Sequence, residues 1–161
     1  MNRAMTAAKL SPEPIDRETF DLAVAGGALV FAADERPVFY WRIPLPGAGA
    51  ELFLSHDDYH LEPSGSPLCG GWVVGINRWV FCVRAGEIAW RVPLPYVFYA
   101  VIAEYTDGFL LQHEIGFMKI GCDGAVLLDA FTGLISSYAI VDGVLEYRTL
   151  EGEAGAIVLD R

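Results

Sequence analysis

The side chains best equipped for chemistry lie together at Ser55–His60, SHDDYH, with Glu62 close behind. His56, Asp57, Asp58 and His60 are all metal-ligand types, and a His pair at i and i+4 would share one face of a helix. The flanking sequence reads as strand and loop, however, and in extended chain i and i+4 stand about 13 Å apart. No further ligand motif lies nearby. The simpler reading is an exposed polar loop. Its functional form is a partner-contact loop made of His56, Asp57, Asp58, Tyr59, His60 and Glu62, because long loops in compact domains often carry function. The segment Pro46–Cys69 has the least strand character and is the expected interaction segment. A metal-dependent hydrolase built on His56–His60 is the enzymatic alternative.

Other catalytic sets are hard to assemble. Nucleophilic catalysis needs a Ser, Cys or Thr beside a base. Cys69 could meet His56 or His60 only if the loop folds back. His113 and Glu114 are adjacent, so in a strand they point to opposite faces. There is no GxSxG elbow, no Walker loop, and no GxGxxG after a strand. The expectation is a protein without catalytic residues, cofactor or metal.

The cysteines are Cys69, Cys82 and Cys122, at spacings of 13 and 40 that fit no zinc knuckle. An odd number without an export signal predicts reduced thiols in a cytoplasm, packed as small apolar residues. The longest charge-free run, Pro63–Asn77, has fifteen residues and is broken by Ser, Gly and Pro. A membrane-spanning helix needs about 20 apolar residues, so none is expected.

The elements that would position these groups are nearly all strands. Only Pro12–Leu22 suggests a helix, with Ser11 as cap and Glu13 and Asp16 at the positive end of the dipole. Residues 1–22 are therefore expected to be an extension or short helix. From Ala28 onward, short β-branched and aromatic runs alternate with turns at Asp34–Pro37, Ala85-Gly86, Asp107-Gly108, Asp123-Gly124 and Asp142-Gly143. Asp-Gly turns favour antiparallel hairpins, since Gly accepts positive φ without steric cost.

The hairpins repeat. Gly71–Ala85 lies without a gap over Gly108–Cys122, placing Trp72 on Phe109, Val73 on Leu110, Val80 on Phe117 and Val83 on Ile120. Tyr40–Pro46 (YWRIPLP) echoes Ala89–Pro95 (AWRVPLP), so Arg42 and Arg91 read as outer-face arginines resting their stems on Trp. Intervals of 35–49 residues suggest degenerate propeller-type repeats over 23–161.

Asp123–Gly133, DGAVLLDAFTG, resembles the strand-turn-strand motif of the pyrroloquinoline-quinone-type β-propeller repeat. Gly86–Trp90, GEIAW, resembles the Gly-to-Trp stretch that follows it. The resemblance implies antiparallel four-stranded blades. It does not imply the quinone, because no matched cofactor residues are present. Four blades would use nearly the whole chain. The expected fold is all-β: antiparallel repeated hairpins in a partial or small propeller-like array, with a β-sandwich as the alternative. Expected core residues include Leu29, Phe31, Phe39, Trp41, Val73, Phe81, Ile88, Trp90, Phe98, Leu110, Phe117, Leu127, Ile140 and Leu145.

The chain of 161 residues carries 21 acidic and 11 basic side chains, a net charge of −10, with 53% apolar residues. It has the apolar content to build a core. Its charge argues against non-specific nucleic-acid binding. The acid is uneven: residues 1–96 hold 8 basic and 11 acidic side chains (net −3), residues 97–161 hold 3 and 10 (net −7). Such a surface would attract a basic protein partner. The expected function is a cytoplasmic, non-enzymatic protein-binding module, in one form an immunity or antitoxin-type inhibitor of a toxin. A structural subunit that completes a propeller by homo-oligomerisation is the further alternative.

Overall fold

A computed structural model describes residues 9–57 and 61–159. In chain order the elements are β1 (Glu13–Ile15), α1 (Arg17–Ala25), β2 (Leu29–Ala32), β3 (Phe39–Leu45), β4 (Ala50–His56), β5 (Ser64–Leu68), β6 (Gly71–Ile76), β7 (Trp79–Arg84), β8 (Glu87–Pro93), β9 (Phe98–Tyr105), β10 (Gly108–His113), β11 (Gly116–Gly121), β12 (Val126–Phe131), β13 (Ile135–Val141), β14 (Val144–Thr149) and β15 (Ala154–Val158). They form four sheets, here called A to D: β1-β3-β4-β2, β5-β6-β7-β8, β9-β10-β11-β12 and the three-stranded β13-β14-β15. All pairings are antiparallel except β2 on β4. The fold is all-β, made of repeated hairpins in an array that does not close.

The sheets stack in sequence order because their central strands are apolar on both faces. Trp72, Val74, Ile76, Phe81 and Val83 of sheet B meet Phe31, Trp41, Ile43, Leu52 and Leu54 of sheet A. From its other face, Val73, Val80 and Cys82 meet Phe109, Leu111, Met118 and Ile120 of sheet C. Leu110 and Phe117, on the far side of sheet C, meet Leu145 and its neighbours in sheet D. The gapless repeat is thus structural. Trp72 and Phe109 both face the preceding sheet, and Val73 and Leu110 both face the following one. Its opening glycines are also equivalent. A Cβ on Gly71 would collide with the Val83 carbonyl, and one on Gly108 with the Ile120 carbonyl.

Polar staples join the sheets at their rims. Trp72 Nε1 donates to Pro46 O at 3.1 Å, and Trp79 Nε1 to Ala33 O at 3.0 Å, tying B to A. Trp90 Nε1 donates to Cys122 O at 2.9 Å, tying B to C. Helix α1 lies against β3, with Phe20 buried and its ring centroid 5.1 Å from that of Tyr40.

Four expectations require correction. The helix is Arg17–Ala25, not Pro12–Leu22; Asp16 caps it by accepting from Thr19 N–H at 2.8 Å. Pro12 and Pro14 favour extended chain in the residues before them, so Glu13–Ile15 becomes an edge strand on β3. Leu127 is 50% exposed, because it is the extra residue of a bulge: Lys119 pairs with Leu128 and Ile120 with Val126. Leu128 is the residue packed inward. The two Trp-Arg echoes are not equivalent, since β3 is internal to sheet A while β8 is an edge of sheet B. Arg42 bonds Glu13 with Nε at 3.0 Å, whereas the Arg91 guanidinium lies 5.9 Å from the Trp79 ring centre. Finally, Cys69 and Cys122 are not reduced thiols but a disulfide. They occupy the β5–β6 and β11–β12 turns, which the stacking of B on C brings to a Cα separation of 5.0 Å. Only Cys82 is a free, buried thiol, and burial pushes it above the usual range against the opposing pull of Arg84.

Candidate functional site

Asp57 is the member of the polar cluster that the fold places in a cleft. The cleft lies between sheets A and B, measures about 520 Å³, and is lined by Asp34, Asp57, Asn77, Arg78, Trp79, Pro93 and Leu94. Asp34 comes from the turn after β2, Asp57 from the end of β4, Asn77 and Arg78 from the β6–β7 turn. Asp34 Oδ2 accepts from the backbone N–H of Asp57 at 3.0 Å and from Asn77 Nδ2 at 3.2 Å. The same amide nitrogen donates to Asp57 Oδ1 at 3.0 Å. One amide thus clamps two carboxylates. Asn77 also holds φ at 51°, a region that Asn tolerates better than most residues. Arg78 and Trp79 line the same cleft, and the two carboxylates give it acceptors for cationic and hydrogen-bond-donating groups.

His56, expected in an exposed loop, ends β4 and is 0% exposed. Trp41 Nε1 donates to its Nε2 at 2.8 Å, which fixes the tautomer with the proton on Nδ1. Its ring stacks beside those of Phe39 and Trp41, with centroids 5.5 and 6.3 Å away. The side chain that looked most like a ligand is a core residue, placed there by β-strand alternation with Leu54 and Leu52. Asp58, Tyr59 and His60 lie outside the described residues. Glu62 is exposed but does not line the cleft. The segment Pro46–Cys69 is less loop-like than expected, since it contains β4 and β5.

His113 is the other buried imidazole. It is 0% exposed, and neither ring nitrogen makes a hydrogen bond. Tyr96 and Phe131 flank it, with centroids 6.1 and 6.0 Å away, and Asp129 Oδ1 lies 4.0 Å from Nε2. Burial pushes its pKa below the ordinary histidine value, opposed by the charges of Asp129 and Glu114. Among the described residues, no group of three or more His, Cys, Asp or Glu is gathered as a metal site. No described helix is long and apolar enough to cross a membrane.

Sequence reasoning missed Asp34, Asn77, Arg78, Trp79, Pro93 and Leu94 as cleft residues. Asp34 sits in a recognisable turn, but nothing local says that it faces Asn77, 43 positions away. It also missed an uneven distribution of exposed apolar side chains. Val126, Leu127, Phe131, Leu134, Tyr138, Val141, Leu150 and Val158 are all exposed, and all belong to β12, sheet D or their connections. Compared with known protein families, with curated proteins and with solved structures, the chain matches none.

Proposed function

We propose that the chain is a non-enzymatic protein-binding module whose stacked sheets form a rigid scaffold for a partner surface. The observation that supports this most is the number of exposed apolar side chains along the stretch from Val126 to Val158, within the more acidic part of the chain. Exposed apolar groups gathered in one region are a common property of interaction surfaces. The acid around them favours a basic partner through faster, steered association. The particular form proposed is an inhibitor of the immunity or antitoxin type. The sheets are read as propeller-type blades, in keeping with the resemblance at Asp123–Gly133. A metal-dependent hydrolase at His56–His60 is less well supported, since His56 would have to leave the Trp41 hydrogen bond and the core.

Cytoplasmic residence belongs to this proposal only with Cys69 and Cys122 reduced, because disulfides persist chiefly in oxidising compartments. Trapping free thiols with an alkylating reagent at the moment of lysis, followed by mass spectrometry, reads which state exists in the source cell. Affinity capture with the chain as bait, then reconstitution from purified components, tests the binding reading. A complex of fixed stoichiometry supports it, and failure to recover or reconstitute any protein complex overturns it.

A further inference from the structure

We propose that the free edge of β15 is the docking site, and that it takes an extended, basic segment of the partner as an added strand of sheet D. This rests on the protein-binding reading above and names where and how binding occurs. Sheets A, B and C each have four strands, and sheet D has three. In sheets B and C the chain runs as a meander, and the fourth strand pairs with the third: β8 with β7, and β12 with β11. The corresponding position in sheet D is the outer edge of β15, which no strand occupies among the described residues.

The hydrogen bonds state which groups that edge offers. Thr149 N–H donates to Glu153 O at 2.9 Å, and Leu159 N–H donates to Gly143 O at 2.8 Å. Between them the register runs Val144 on Val158 to Arg148 on Ala154. Antiparallel ladders alternate, so Gly155 and Ile157 direct their backbone groups at β14. Ala154, Ala156 and Val158 direct theirs at the open edge, and all three residues are exposed.

The other edges carry features that discourage pairing. β1, β5 and β8 contain Pro14, Pro67 and Pro93. β9 and β12 contain Glu104 and Asp129 and are bulged against their neighbours. β13 is bulged between Ile135 and Ser137, and β2 is limited to four residues. The β15 sequence, AGAIV, has no charge and no proline, and its register with β14 is unbroken.

Charge selects the occupant. Among the described residues on the strands and turns of sheet D, Asp142, Glu146, Glu151 and Glu153 carry negative charge against the one cation Arg148. Glu146 pairs across from Ala156 on the outward face, and Glu153 immediately precedes the strand. A basic strand meets that field favourably. A second copy would bring two chains of net charge −10 together. An added strand gains affinity from main-chain hydrogen bonds, and its alternate side chains contribute specificity.

The test uses a fluorescent peptide of alternating valine and lysine, with the chain's amide hydrogen exchange followed by NMR. Binding that slows exchange at Ala154, Ala156 and Val158 is expected. Ala156→Pro removes an outward N–H without touching the β14 ladder and should weaken the peptide about tenfold, as loss of one or two backbone hydrogen bonds would. N-methylating alternate peptide amides should do the same with the protein unchanged, which separates lost pairing from lost folding. Equal binding to Ala156→Pro and by the methylated peptide, or protection confined to the Asp34–Asp57 cleft, overturns the inference and leaves the protein-binding reading standing. Slow exchange of the three amides in the chain alone, or sedimentation as a dimer through this edge, overturns it in favour of an internal segment or a second copy. Failure to reconstitute any complex with a protein removes the binding reading itself.

Discussion

The indole of Trp90 donates to the backbone carbonyl of Cys122 at 2.9 Å, and the sulfur of the same cysteine is bonded to Cys69. Arg84 Nη2 reinforces the junction, donating to Cys69 O at 2.8 Å and Cys122 O at 3.1 Å. The B–C contact is therefore fastened at one rim by a covalent bond, an indole and a guanidinium, with the apolar cluster of Val73, Phe109 and Leu111 behind them.

Trp90→Ala should destabilise the fold by about 2–4 kcal/mol. The indole stacks on Phe109 at 6.1 Å between centroids, and its loss leaves a gap and takes one of two donors from the Cys122 carbonyl, which keeps only Arg84. Urea titration reads this as a lower midpoint. An unchanged midpoint would mean that the indole does not hold the two sheets.

Cys122→Ser should lower stability by about 2–4 kcal/mol under non-reducing conditions, because the bond closes a loop across 53 positions of sequence. In strong reductant, wild type and variant should converge. A difference that persists in reductant would point to packing of the sulfur and not to the cross-link.

Stability should fall as pH drops through the histidine range, with His113 as a main contributor. An unfolded histidine titrates near about 6.5, and burial holds the folded value lower. The unfolded chain therefore binds the proton first, so the stability present above about pH 6.5 declines until pH reaches the folded value, and levels off below it. Denaturant midpoints between about pH 7.5 and pH 5 should show this slope, and His113→Leu should flatten it. A variant with the wild-type slope would assign the titration elsewhere.

Gly75→Ala should cost about 1–3 kcal/mol by overpacking, since a Cβ there collides with the Phe98 ring. Adding Phe98→Ala should make the Gly75 substitution nearly neutral. Calorimetric melting of the two single variants and the double variant closes this cycle, and simple additivity would refute the contact.

Much of the architecture was legible because it is local. Leu110 and Leu111 alternate between two apolar faces, and Ala85-Gly86 and Asp142-Gly143 both adopt positive φ, as short hairpin turns require. Reading failed where a second strand set the outcome. β5, SGSPL, has little strand propensity, but its pairing with β6 holds it extended. Leu127 is exposed because β12 bulges against β11. His56 was misread for a different reason. A histidine in a polar cluster looks exposed until the strand before it is continued two residues further, past Leu54, into a core where an indole donor waits.

By itself the sequence determined that this chain is built of antiparallel hairpins, because a period of two and tight turns are properties of neighbouring residues. It also set the acidic balance. Which sheet covers which face, that Cys69 reaches Cys122, that Asn77 clamps Asp34 to Asp57, and that no described strand pairs with the outer edge of β15 were decided by tertiary structure. Periodicity states that a face is apolar but not what packs upon it. Proximity between residues tens of positions apart appears only once the sheets have stacked.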